Sequence, residues 1–285
     1  MAVYKRTYRG YSGAVTPAWS RFLILYRYSR RTLFRSKFQT AFFVLCFFFP
    51  LLCLLGIYAN SNLSAFSFLG TRSGPLLNVN GAFFLIYLGV QGTLAFILTA
   101  FMGPGLVSPD LANGALTLYL CRPLSRTEYV LGKMSVLLIQ LSWITWVPGL
   151  VLFFVQASLS GRGWLTSNLW IATGIVLGSL LWITVLALLS MAISAWVKWR
   201  IVAGALLLGT FFFGAGFAQA INAVLRTYHG FVIDLGTLIS IIWHNLLHDP
   251  FAPISVAEAW IALLAFAAFC LFLLMRKVKA NEVIR

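Results

Sequence analysis

Six long apolar runs dominate this chain and leave it few ways to fold: 38–58, 82–102, 134–155, 169–196, 201–221 and 259–275. A bilayer core about 30 Å thick takes roughly 20 apolar residues per helical crossing, and a helix satisfies its own backbone where water is absent. Each run therefore reads as a transmembrane helix, the short last one with Glu258 and Arg276 placed to snorkel from its ends. Only 9% of the residues are charged and 61% are hydrophobic. With a mean hydropathy of +0.91, that balance excludes a water-soluble fold. The expected fold class is an all-α integral membrane protein with six transmembrane helices, a single domain over 1–285.

Basic residues set the expected orientation, because Lys and Arg flanking membrane helices are retained in the cytoplasm. With six crossings both termini share one side, and 18 of the 21 Lys and Arg fall there; Arg72, Arg162 and Arg226 do not. The net charge of +15 thus reads as topology and affinity for membrane lipid, and no nucleic-acid partner is expected. The expected location is the cytoplasmic (inner) membrane, multi-pass, with both termini cytoplasmic. The N-terminal residues lack the apolar run and cleavage site of a signal peptide, so none is expected to be removed. Residues 231–247 (FVIDLGTLISIIWHNLL) mimic a seventh crossing. Spanning there would carry Arg276, Lys277, Lys279 and Arg285 outside and Asp234 into the hydrocarbon. We therefore expect 222–258 to form an extracytoplasmic re-entrant or interfacial segment before the sixth crossing.

Residues 18–37 have helical length and too many charges to span. At 100° per residue Arg27, Arg31 and Arg35 share a face, opposite Trp19, Phe22, Tyr26 and Leu33, the pattern of an amphipathic helix on the membrane surface. Within the crossings, Gln91, Gln140 and Gln219 are the most polar long side chains. A proton- or sodium-coupled carrier holds acids or histidines at depth, so energy comes from elsewhere or the pathway is passive. Gly174 and Gly178 form a GxxxG pair suited to close helix packing, and Pro50, Pro104 and Pro148 are expected to kink or end helices. Cys46, Cys53, Cys121 and Cys270 read as small hydrophobes, without disulfide or metal-ligand spacing.

Charge gathers again in 105–133, a cytoplasmic segment on this topology. Ser108-Pro109-Asp110 reads as a helix start, the helix running to about Cys121 before Pro123 stops it. Leu111, Ala115, Leu118 and Tyr119 make an apolar stripe with no obliged cover in this chain. Arg122 and Arg126 offer donors to a partner's carboxylates, and Thr127-Glu128 opens the third crossing.

The order Asp110, Gly114, Leu116, Arg122-Pro123-Leu124-Ser125-Arg126 and Gly132-Lys133 resembles the permeases of the ABC type-2 transporter family. Many members carry Glu where this chain has Asp110. The N-terminal surface helix and the outer segment also resemble family features. The resemblance implies a permease subunit of an ATP-driven exporter of a lipid, peptide or drug-like substrate. Its coupling helix, here Asp110, Leu111, Gly114, Leu118, Arg122, Pro123, Arg126 and Lys133, would seat in a cytoplasmic ABC ATPase, with a second permease completing the pathway. Gly132-Lys133 lacks the rest of a Walker loop, with Thr127 for the first Gly and Met134 for Ser or Thr. The chain is accordingly expected to be no enzyme and to hold no cofactor, ATP and Mg belonging to the partner subunit.

The alternative is a membrane-embedded metal-dependent enzyme. His244 and His248, spaced to share a helix face, have Asp249 beside them, while Asp234 and Glu258 on the same side are acid or base candidates. No third metal ligand stands at a supporting spacing, so no metal site is assigned. A passive channel or scaffold would need no coupling segment at all.

Overall fold

Where water is absent every backbone N–H and C=O needs a partner within the chain, and the fold answers this with helices. A computed structural model describes residues 20–34, 36–62, 77–114, 126–249 and 251–277, and all regular structure among them is helical. After α1 (Arg21–Leu33), the first crossing is built of α2 (Lys37–Leu45) and α3 (Phe48–Ser61). The second joins α4 (Gly81–Met102) to α5 (Pro104–Ala112), and the third joins α6 (Arg126–Ile144) to α7 (Trp146–Ser160). A short α8 (Arg162–Ser167) leads to α9 (Leu169–Trp196) and then α10 (Arg200–Leu225), the fourth and fifth. A 3₁₀ turn (His229–Val232), α11 (Leu235–Leu246) and α12 (Val256–Lys277) complete the described chain.

Six spans are long and apolar enough to cross a membrane: Lys37–Ser61, Gly81–Asp110, Thr127–Ser160, Leu169–Trp196, Arg200–Leu225 and Val256–Lys277. The last has 22 residues, so the sixth crossing is not short. Helix α9 is the most enclosed and touches α4, α5, α6, α7, α10, α11 and α12. Its buried Gly174, Gly178, Ser179, Ser190 and Ser194 let these neighbours approach closely.

The apolar run at 231–247 does not form a seventh crossing: α11 has 12 residues, about 18 Å of helix at 1.5 Å per residue. Beyond α10 the chain turns at Arg226, whose φ is +49°, and doubles back. Gly230 donates its N–H to Asn222 Oδ1 (2.8 Å), and Ile233 O lies 3.4 Å from where a Cβ on Gly214 would stand. Asp234, expected outside the apolar layer, is therefore level with the middle of α10. There it caps α11, Oδ1 accepting from the Gly236 N–H (3.0 Å) and Oδ2 from the Thr237 hydroxyl (2.6 Å). Helix α11 then runs back along α9, where the GxxxG pair seats it: Cβ atoms on Gly174 and Gly178 would fall 2.9 Å from Leu247 and 2.8 Å from Trp243.

Pro50, Pro104 and Pro148 each follow a break, at 46–47, Gly103 and Thr145. Lacking an N–H, Pro50 and Pro148 cannot supply the usual i+4 donor to the carbonyls of Cys46 and Ile144. Fully buried Gln91 on α4 replaces both, its Nε2 donating to Cys46 O (3.0 Å) and Ile144 O (2.7 Å). Tyr87, one turn away, donates its hydroxyl to Thr145 O (2.7 Å). Replacing Gln91→Leu should destabilise by about 1–3 kcal/mol for each carbonyl left without a donor. Pro148→Ala in that background should recover part of the loss by restoring an N–H. Unfolding in mixed micelles measures both, and a Gln91→Leu protein as stable as the parent would refute this account.

Candidate functional site

The segment that leaves the second crossing and returns in the third is fastened at its base by two polar joints. The first lies between α5 and α9. Helix α5 begins at Pro104, so Ser108 is inside a helix and not its cap, a correction to the start read from Ser108-Pro109. The Ser194 hydroxyl inserts into the turn that Pro104 opens, accepting from the Ser108 N–H (2.9 Å) and donating to Pro104 O (3.2 Å). Ser108 returns a bond from its own hydroxyl to Ser194 O (3.1 Å). Both serines are fully buried. One turn up, Gly103 lies against Ser190 with no room for a Cβ.

The second joint lies between α5 and α6. Lys133 Nζ stands 2.8 Å from Asp110 Oδ2, the two side chains only 6% and 16% exposed. Tyr129, one turn before Lys133, donates its hydroxyl to the same carboxylate oxygen (2.8 Å), and its ring lies 5.8 Å from the ammonium. Positions 129 and 133 are i and i+4, so both donors converge on one acceptor. Asp110 and Lys133, which the resemblance assigns to the contact with an ATPase, are paired with each other within the chain.

Helix α5 ends at Ala112, earlier than the expected stop near Cys121, and Gly114 follows with φ +62°, a conformation glycine adopts without strain. Leu118, Arg122 and Pro123 lie outside the described residues, as do the side chains of Leu111 and Arg126. Tyr129 and Ser194 were not singled out from the sequence. The available signals were the i, i+4 spacing of Tyr129 with Lys133 and of Ser190 with Ser194 in an otherwise apolar helix.

Helix α1 lies along α6. Leu25 and Ser29 form its buried face, while Tyr26 is half-buried and packs on the core, so the tyrosine expected at the headgroup boundary meets protein. Arg27, Arg30 and Arg31 are exposed alongside Leu23, Ile24 and Tyr28. Trp19 and Arg35 lie outside the described residues, as do the Phe22 and Leu33 side chains.

The histidines meet a different fate from the shared helix face expected of them. Helix α11 ends at Leu246, and His248 follows with φ +52° and its ring stacked on Trp170, centroids 4.3 Å apart. His244 lies against Phe251 (4.8 Å), its Nδ1 3.0 Å from Asp249 Oδ2. Among the described residues no three His, Cys, Asp or Glu side chains group as metal ligands. Glu258 and Ser255 form a reciprocal capping box at the start of α12 (3.3 and 3.2 Å), which gives that carboxylate a structural partner.

No protein-family model matches this chain, and a comparison with curated proteins finds no match.

Removing one member of the Asp110–Lys133 pair strands the other in a place with little water. Asp110→Ala should therefore lower stability by on the order of 3 kcal/mol, whereas the double replacement Asp110→Leu with Lys133→Met should recover most of it. Thermal unfolding of the two variants in detergent measures the coupling. Additive losses in the double variant would mean the pair contributes no joint.

Proposed function

We propose that this chain is the transmembrane permease subunit of an ATP-driven transporter resembling the ABC type-2 family. In this reading it exports a lipid, peptide or drug-like substrate, pairs with a second permease and is driven by a separate cytoplasmic ATPase that binds ATP and Mg. Residues 105–133 are the cytoplasmic coupling segment, both termini are cytoplasmic, and 222–258 is a re-entrant element facing the outer side of the inner membrane.

One observation carries the reading. The segment 115–125 emerges from α5, which is locked to α9 through Ser108 and Ser194 and to α6 through Asp110, Tyr129 and Lys133. A push on that segment reaches the third and fourth crossings together. A loose loop would dissipate it. Arg122 and Arg126, flanking Pro123, are the groups assigned to grip the ATPase, while Asp110 and Lys133 serve by holding the lever to the bundle. The alternative enzyme reading finds less support, since among the described residues no three metal-ligating side chains group together and the His248 ring packs on Trp170.

Cys121 makes the test direct, since it falls in this segment while Cys46, Cys53 and Cys270 lie within the spans. A membrane-impermeant maleimide should label Cys121 in inside-out vesicles and not in intact cells; labelling of intact cells would end the proposal. Extraction in mild detergent should retain an ATP-binding subunit, one for each permease. Arg126→Glu should reduce substrate-stimulated ATP hydrolysis by the complex at least tenfold while leaving this chain folded.

A further inference from the structure

A second feature lies away from the coupling joint, at the seam between α1, the first crossing and the third. Here Arg30 and Arg31 help line a cleft of about 520 Å³. Its walls are aromatic: Phe34, Phe43, Phe47 and Trp143. Gln140 also lines it, 5% exposed, with a side-chain amide that hydrogen-bonds to none of the described residues. An amide that bonds none of the described residues and lines a cleft is free to meet a molecule that enters there. Neither arginine pairs with an acid among the described residues, and Arg30 has only the Tyr26 ring, 5.7 Å away.

The cleft has direction. Phe43, Phe47, Gln140 and Trp143 flank the breaks at 46–47 and Thr145, and Lys37 to Phe47 is about 15 Å of helical rise. One end thus carries two guanidiniums near the start of the first crossing, and the other is apolar near its middle. A soluble anion has no use for the aromatic wall, and an apolar molecule none for the arginines. We propose that this cleft binds one anionic phospholipid of the leaflet on the arginine side. Its phosphate lies between Arg30 and Arg31, its ester oxygens accept from the Gln140 amide, and one acyl chain runs along Phe43 and Phe47. The lipid fastens α1 to the first and third crossings. The inference needs the chain to be membrane-embedded but not to be a transporter.

Trp143 supplies the readout. Full-length protein in nanodiscs should show stronger tryptophan quenching by brominated phosphatidylglycerol than by brominated phosphatidylcholine. Half-maximal quenching should come at an at least fivefold lower mole fraction, and Trp143→Phe should remove that headgroup-dependent part. R30Q/R31Q should reduce the preference below twofold; Arg27→Gln, an exposed arginine outside the cleft, should leave it intact. Gln140→Leu should weaken it in the same direction, which keeps the test open if the double arginine variant does not fold. Equal quenching by the two lipids, equal effects of R27Q and R30Q/R31Q, or competition by millimolar inorganic phosphate would each overturn the site. The last would point to a free anion in place of a lipid.

Discussion

Two prolines at matching depth leave two carbonyls without donors, and one glutamine answers both. That constraint organises the bundle, because in hydrocarbon the freed oxygens of Cys46 and Ile144 can turn only to protein. Gln91 ties the first and third crossings to the second where both are bent, and Tyr87 adds a bond to Thr145 O. The breaks thus become fixed corners, and the shape of the first three crossings follows from them.

The same economy recurs around α9. Trp243 donates its indole N–H to Gly178 O (3.0 Å) and Trp182 donates to Gly92 O (2.9 Å). Each carbonyl belongs to a glycine, whose missing side chain lets the indole come close; a Cβ on Gly92 would stand 2.5 Å from the Trp243 ring. The short α11 is held in the bundle by this aromatic layer and by the Asp234 cap at its start. A half-length helix inside an apolar layer is tolerated on these terms, its exposed N–H groups being met by its own chain.

The second, third and fourth crossings are joined at one end by polar contacts. Ser194 bridging the Pro104 turn and Lys133 meeting Asp110 are both polar contacts in dry surroundings, where a hydrogen bond is strong and its loss costly. They make the exit from α5 stiff. In the proposed transporter that stiffness is what converts movement of a partner subunit into movement of helices, while Gln91 and the tryptophan layer steady the rest of the bundle.

The sequence by itself determined the six crossings, the rejection of a seventh, the helix before the first crossing and the packing use of Gly174 and Gly178. Each depends on run length, periodicity, side-chain size or the placement of charge along the chain, which are written in the order of residues. Only the tertiary structure decided who partners whom. Gln91, Pro50 and Pro148 are visible in the chain, yet nothing local says that one amide meets both freed carbonyls. Asp110 and Lys133 stand 23 positions apart and read as outward-facing until two helices bring them to 2.8 Å. Ser108 read as a cap because Pro109 and Asp110 follow it, whereas Pro104 had already started the helix and Ser194, 86 residues on, claimed the hydroxyl. Partner choice is a long-range property set by packing, and a buried polar group takes whatever donor or acceptor the fold delivers.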